Sequence, residues 1–336
     1  MMNIEPQNNK YNELIEQIGD LLKSGRMQIA NSVNNVMVQT YWHVGQYIVE
    51  FEQQGSHKAE YGKGLMEKLS RDLTLLYGKG FSRSNLFLIR QLYIQFPKIQ
   101  TLSGKLSWSH YVEILKLEDS LEIGFYIAQC ERDNWSVREL KRQKNSMLFH
   151  RLALSKDKEG VLELANKGVE IQTADDIIKD PYVLEFTNIP QNSKFQESDL
   201  ESEIINNLQS FLLELGKGFA FIGRQYRISI GGKHFYIDLV FYHRILKCFV
   251  LIDLKRGEIE HYDIGQMNLY LNYFRKEEMT EGDSEPIGIV LGASKNNVLI
   301  EYALENITNQ LFVSKYQLYL PEKEALQKEI RKILNK

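Results

Sequence analysis

Apolar positions recur at helical spacing through the first 150 residues. Leu14, Ile15, Ile18, Leu21 and Leu22 predict a helix over 12–23. Ile29, Val33, Val36, Met37, Trp42, Val44, Tyr47 and Ile48 predict a second, longer one over 27–53. Leu65, Leu69, Leu73 and Leu76 continue the pattern over 64–77, until Gly78-Lys79-Gly80 breaks it. Ser82 is a good N-cap for a helix through Leu86, Ile89, Leu92 and Tyr93 that ends before Pro97. Ser107 opens a short helix, and Ser136 with Glu139 three residues on is a capping-box signature for SVRELKRQKNSMLFHRL. Short helices with basic residues after their caps suit a helix-turn-helix or winged-helix arrangement. Periodicity alone gives a plain helical bundle equal standing.

The pattern changes in the second half. Residues 153–178 are polar and read as a hinge with some helix, and 188–199 form a second polar loop around Pro190. A helical stripe over 200–215 leads into three strand-like runs, RQYRISI (224–230), HFYIDLVFYH (234–243) and CFVLIDLK (248–255). Gly231-Gly232 joins the first two as a hairpin turn. A helix over 258–276, a strand over 287–292, a helix over 297–306 and a last strand near 316–320 complete the order. The chain is therefore expected to be α+β with two domains: a helical one over 1–152, a hinge over 153–178, and a domain with a mixed sheet over 179–336.

Composition is that of an ordinary globular chain, with 43% apolar and 25% charged residues, which excludes wholesale disorder. No apolar run approaches the roughly 18–20 residues of a membrane-crossing helix. The polar, acidic start is unlike a signal peptide, and two cysteines with no CxxC pair favour a reducing cytoplasm. The net charge of -3 hides structure. Residues 78–116 hold six basic residues and one acid, Glu113, and residues 132–151 hold six against two. Such stretches are compatible with a polyanion partner, though a solvated helix face accounts for them equally well.

The chemistry concentrates in the strands. Asp238 and Asp253 are acids inside very apolar runs, and Lys255 shares a strand face with Asp253. A four-residue loop over 244–247 sets Asp238 directly opposite Asp253, with Cβ atoms about 5 Å apart. Like charges so placed destabilise a sheet, and a divalent cation with a taste for carboxylate oxygens, Mg²⁺ or Mn²⁺, removes the conflict. On the preceding helix Glu201 falls on the inward stripe, whereas Glu203 faces solvent. Gln266, on the next helix, is a further candidate for the cluster.

A Glu, an Asp and an acid-x-Lys tripeptide resemble the set of the PD-(D/E)XK nuclease superfamily. More closely, FLLELGKGFAFIGRQYRISIGGKHFYIDLVFYHR, GQMNLYLNYF and PIGIVLGASKN resemble the YhcG-type family. So do TYWHVGQYIVE, LSRDL, GFSRSNLFLIRQLY, LSWSHYVEIL and NWSVRELKRQ in the first half. The resemblance spans nearly the whole chain. It implies a winged-helix-like DNA-binding domain followed by a nuclease domain with an αβββαβ core. By position it makes Asp238 and Asp253 metal ligands, Lys255 the catalytic lysine, Glu201 the helix acid and Gln266 the family's helical glutamine. Asp253 stands where Glu is common, and Ile237 stands where the superfamily's name has proline.

The expected activity is Mg²⁺-dependent hydrolysis of phosphodiester bonds, as an endonuclease on DNA, with the Leu254 carbonyl completing the ligand set. Arg224 and Gln225 are candidate substrate contacts, and Arg83, Arg90, Arg138, Lys141 and Arg142 candidate phosphate contacts. A homodimer is a family expectation only. The competing readings are a DNA-binding or complex-forming protein that uses the nuclease fold as a scaffold, and a metal-dependent phosphatase. No P-loop spacing and no paired histidine spacing for zinc is present.

Overall fold

The computed structural model describes residues 5–54, 59–154, 156–190, 195–305, 307, 310–320 and 322–335. The chain divides into two compact units, Met1–Leu140 and Lys141–Lys336. No described helix is long and apolar enough to cross a membrane.

The first unit comprises α1 (Glu5–Gln54), α2 (Ala59–Tyr77), α3 (Arg83–Gln95), α4 (Trp108–Ile114), α5 (Ser120–Asp133) and the start of α6 (Val137–Asn145). Its described residues contain helices and no strand, so a β-wing is not among them. The two helices expected over 12–53 are one. Ser24-Gly25 does not break it, because a glycine inside a helix costs only about 1 kcal/mol. The side chains of Leu14 and Ile15 lie outside the described residues. Gly45 shows why α1 and α3 approach closely: a Cβ there would stand 2.3 Å from the Ile89 carbonyl oxygen. Leu86, Ile89, Ile48 and Met66 form the core at that crossing. Ser82 caps α3 by accepting from the Asn85 N–H, and Ser136 accepts from Glu139 N at 3.2 Å.

The second unit continues with α7 (Leu148–Ala153), α8 (Lys158–Lys167), β1 (Tyr182–Val183), α9 (Glu197–Asn206), α10 (Leu208–Leu215), β2 (Phe219–Ile230), β3 (Lys233–His243) and β4 (Cys248–Ile259). Then come α11 (His261–Tyr273), β5 (Ile287–Lys295), α12 (Asn297–Leu304), β6 (Gln310–Gln317) and α13 (Lys323–Leu334). The sheet order is β1-β6-β5-β4-β3-β2. β2, β3 and β4 form an antiparallel meander, and β4, β5, β6 and β1 run parallel. Helices cover both faces. Leu200, Ile204, Phe211 and Leu215 of α9 and α10 pack on Val250, Ile252 and Leu254, while Ile264, Met267 and Leu271 of α11 pack on Leu251 and Val290.

Several boundaries differ from the pattern-based expectation. The helix expected over 200–215 is split at Asn207, whose side chain bonds back to the Glu203 carbonyl at 3.0 Å and competes with the backbone ladder. β6 starts at Gln310, six residues before the expected strand, and β1 is a two-residue strand too short to read from periodicity. Residues 191–194 of the polar loop, and Asn306 at the expected end of α12, lie outside the described residues.

Candidate active site

The site lies where β3 and β4 stop pairing. Their register runs from His243–Cys248 to Leu239–Ile252, as the four-residue turn over 244–247 requires. One step further Asp238 would face Asp253, but the ladder ends there. Asp238 Oδ2 instead accepts from the Leu254 N–H at 2.7 Å, so the expected carboxylate-to-carboxylate pairing becomes a splayed junction with a backbone amide in it. Like charge and the desolvation of both acids give the strands reason to part.

Gln225 approaches Asp238 from β2. Its φ is +46°, in the left-handed region that side chains rarely occupy inside a strand. From that strained position its amide donates to Glu201 Oε2 at 2.6 Å and to Asp238 Oδ1 at 3.0 Å. Glu201 is only 7% exposed, which bears out its place on the inward stripe of α9. One side chain thus ties the helix acid to the strand acid.

Asp253, 3% exposed, stands beside Lys255, whose Nζ is 2.8 Å from Asp253 Oδ2 and 3.6 Å from Asp263 Oδ1. Asp253 Oδ2 thus takes the Lys255 ammonium, whereas Asp263 Oδ1 has only that longer contact and no aligned hydrogen-bond donor. Asp263 is a residue that the strand pattern alone does not reveal. An acid on the apolar stripe of α11, with Ile264, Met267 and Tyr270, was the available signal. Its other oxygen accepts from the Glu260 N–H at the helix start, at 2.9 Å. Gln266 does not touch the acids: it donates to the Tyr270 hydroxyl, which donates in turn to the Tyr236 carbonyl at 3.2 Å.

The electrostatics follow from burial. Desolvation and then the Asp238 charge push Asp253 up to about 7, against the pull of Lys255. Asp238 is raised by burial, with the Leu254 N–H, Lys255 and Gln225 opposing. Glu201 is raised by burial too, and Gln225 opposes that shift. Burial works against the charge on Lys255, but Asp253, Asp263 and Glu197 outweigh it and hold the ammonium above the ordinary lysine range. These carboxylates favour the charged form of Lys255.

The residues fit a small hard cation. Among the described residues no three His, Cys, Asp or Glu side chains converge tightly enough to enclose a metal ion. What they offer is the carboxylates of Asp238 and Asp253, near enough that the charge of the first raises the second. That is an oxygen-only, incomplete set of the kind Mg²⁺ uses, keeping its waters and taking the rest from phosphate.

The proposed nucleic-acid contacts separate into groups. Arg142 is a correction: its guanidinium is bound to the Val183 carbonyl at 3.1 Å, Glu185 at 3.2 Å and Glu214 at 3.3 Å, and its side chain is 12% exposed. It is a structural tie. Arg90 is paired with Glu52 at 2.7 Å, and Arg83 with Glu67 at 3.1 Å, so both charges already have partners. Arg138 and Lys141 on α6 are exposed, and Arg224 is exposed beside Gln225.

An αβββαβ core with acids at this strand junction and a lysine two residues on defines the class, a PDDEXK nuclease domain. The family model for the YhcG PDDEXK nuclease domain matches residues 175–331, and that for the DUF1016 N-terminal domain matches residues 17–151. The chain is 36% identical to the YhcG protein of Escherichia coli (strain K12) across 95% of its own length and 93% of that protein's. It belongs to the YhcG family. Among solved structures, a repair endonuclease from Pyrococcus abyssi is 20% identical over 39% of this chain and 50% of that one, with a TM-score of 0.28. An EndoMS–dsDNA complex is 19% identical over 40% of this chain and 51% of that one, also with a TM-score of 0.28.

Proposed function

We propose that the protein is a metal-dependent endonuclease that hydrolyses phosphodiester bonds of DNA, with Mg²⁺ or Mn²⁺ held by Asp238, Asp253 and the Leu254 carbonyl. The carrying observation is the buried Asp253–Lys255 pair beside Asp238, whose charge raises the Asp253 carboxyl. When bound, a divalent cation supplies Lewis-acid polarisation of the phosphate and relieves the repulsion between the two acids. Lys255, kept charged by its carboxylate neighbours, offsets the negative charge that grows on the phosphate oxygens in the transition state. Asp253, with a pKa near neutrality, is suited to hold or release a proton as the cation enters or leaves. Gln225 fixes Glu201 and Asp238 relative to each other. Arg224 and the exposed charges of α6 supply phosphate contacts.

The test is cleavage of plasmid, linear, single-stranded and branched DNA with Mg²⁺, Mn²⁺ or EDTA. Asp253→Ala and Lys255→Ala are expected to keep the fold and lose at least about 100-fold in rate. Binding without cutting on every substrate and with either metal would sink the catalytic reading in favour of a scaffold.

A further inference from the structure

The two strands that bring Gln225 and Asp238 to the site run on past it as a hairpin. Beyond those residues β2 and β3 pair without a slip, Arg227 with Tyr236 and Ser229 with His234, up to the turn at Gly231-Gly232. Side chains alternate along a strand, and here the two faces differ in kind. Ile228, Ile230, Phe235 and Ile237 pack into the core with Ile264, Met267 and Tyr270 of α11. Arg227, Ser229, His234 and Tyr236 are exposed on the other face. That face begins two residues, about 7 Å of strand, from Gln225 and Asp238.

Three features set this face apart from a solvated sheet edge. Residues 215–237 carry four basic residues and no acid, in a chain whose net charge is -3. Arg227 has no carboxylate partner among the described residues: its Nη2 stands 3.2 and 3.0 Å from the two ring nitrogens of His234, whose Nδ1 is 2.9 Å from Ser229 Oγ. The guanidinium is thus held in place without being neutralised. Tyr236 is 51% exposed although its backbone is anchored, its carbonyl accepting from the Tyr270 hydroxyl, which accepts in turn from Gln266. Gln266, which does not reach the acids, so supports this face at one remove. We propose that the face is a subsite for unpaired DNA: Tyr236 stacks on a base, Arg227 takes a phosphate beside it, and the strand leads from the hairpin to the acids. The ring points to a single strand in particular, because it can stack only on a base whose face is open, and inside a duplex both faces are covered by neighbouring bases. The preferred substrate therefore has a single-stranded segment next to the bond that is cut. The inference rests on the nuclease reading for where the strand leads, and its binding step is measured apart from cleavage.

The test is fluorescence anisotropy in EDTA, where metal-dependent cutting does not enter, with the full chain and three labelled probes: single-stranded DNA, blunt duplex, and duplex with a single-stranded tail. The single-stranded and tailed probes are expected to bind more tightly than the blunt one. Tyr236→Ala should weaken both by about 10-fold, while Tyr236→Phe should bind as wild type does. Tyr302→Ala, which removes a still more exposed tyrosine on α12, should change nothing. Arg227→Gln should lower the salt slope for single strands by about 0.7, the share of one phosphate. A fluorescent base analogue in the single strand should be quenched by wild type and not by Tyr236→Ala. Because these side chains are exposed, none of the variants should shift the thermal midpoint. A wild type that binds single strands no better than blunt duplex, or a Tyr236→Ala variant that binds them as wild type does, overturns the proposal. Cleavage of the same probes with Mg²⁺ or Mn²⁺ is a separate readout. Binding that follows Tyr236 with no probe cut leaves the subsite and removes the nuclease reading; cutting with binding indifferent to Tyr236 does the reverse.

Discussion

At Asp253 the needs of chemistry oppose those of stability. Its carboxyl titrates near 7 in the folded chain against an ordinary 3.8, so between those values the unfolded state gives up a proton that the folded state keeps. Stability therefore falls as pH rises from about 4 to about 7, and flattens above. Asp253→Asn does not titrate, and Lys255 retains Asp263 as an ion partner. In EDTA this variant is expected to be more stable than wild type by about 4 kcal/mol at pH 8, and close to it near pH 4, as read from urea unfolding. A pH-independent difference would mean that the carboxyl is not raised. Gln225 offers a second trade. Gln225→Gly relieves the left-handed strain and should hold or raise the thermal midpoint. It removes both N–H donors to the acids, and cleavage should drop about 10-fold. Loss of stability in step with activity would make the residue structural only.

Among the elements, α10 is pinned by one buried acid. Glu214 accepts from Arg151 at 2.7 Å and from the Val183 N–H at 3.0 Å, and its backbone carbonyl accepts from Lys179. It thereby joins α7, the approach to β1 and α10. Burial opposes its charge, but Arg151, Lys179 and Arg142 hold its carboxyl below the usual carboxylate range. Its contribution is complete above the ordinary value of 4.5 and is lost as pH falls through the lower folded one. Glu214→Ala should cost about 3–5 kcal/mol at pH 7, because it strands buried guanidinium charge; a cost under about 1 kcal/mol would refute the pinning role. This network also shows what the sequence hides. Arg142 looks like a phosphate contact because its partners, Glu185 and Glu214, are 43 and 72 residues away. The β3–β4 register, by contrast, was legible from a local quantity, the four-residue turn. The same register misplaced the acids by one contact, since nothing in alternation foretells that Asp238 will take the Leu254 N–H. Glu201 was legible because helical geometry sorts it from Glu203. Asp263 was not, because it lies on an apolar helix whose facing strand must first be known.

For the whole molecule the exposed charges of α6 give the clearest expectation. Arg138 and Lys141 form no ion pair among the described residues. Neutralising both should flatten the slope of log K against log[salt] for DNA binding by about 2, with little change in stability. Arg142→Gln should do the reverse, lowering stability and leaving the slope alone. If the slope of the double variant matches wild type, these residues are ordinary surface charges.

The outer position of β2 has a further consequence. Among the described residues it pairs with β3 alone, so its far edge is the open edge of the sheet, one that another chain's strand could recruit. The register slip between Phe221 and Gly223 and the left-handed turn at Gln225 kink that edge, and Arg224 and Arg227 charge it. The residue that ties the two acids together therefore also keeps the sheet from growing. Straightening it with a flat strand former such as Val would remove a hydrogen-bonding side chain and, in the same stroke, open a seam for fibril-like stacking. Solubility and chemistry here are guarded by one backbone angle.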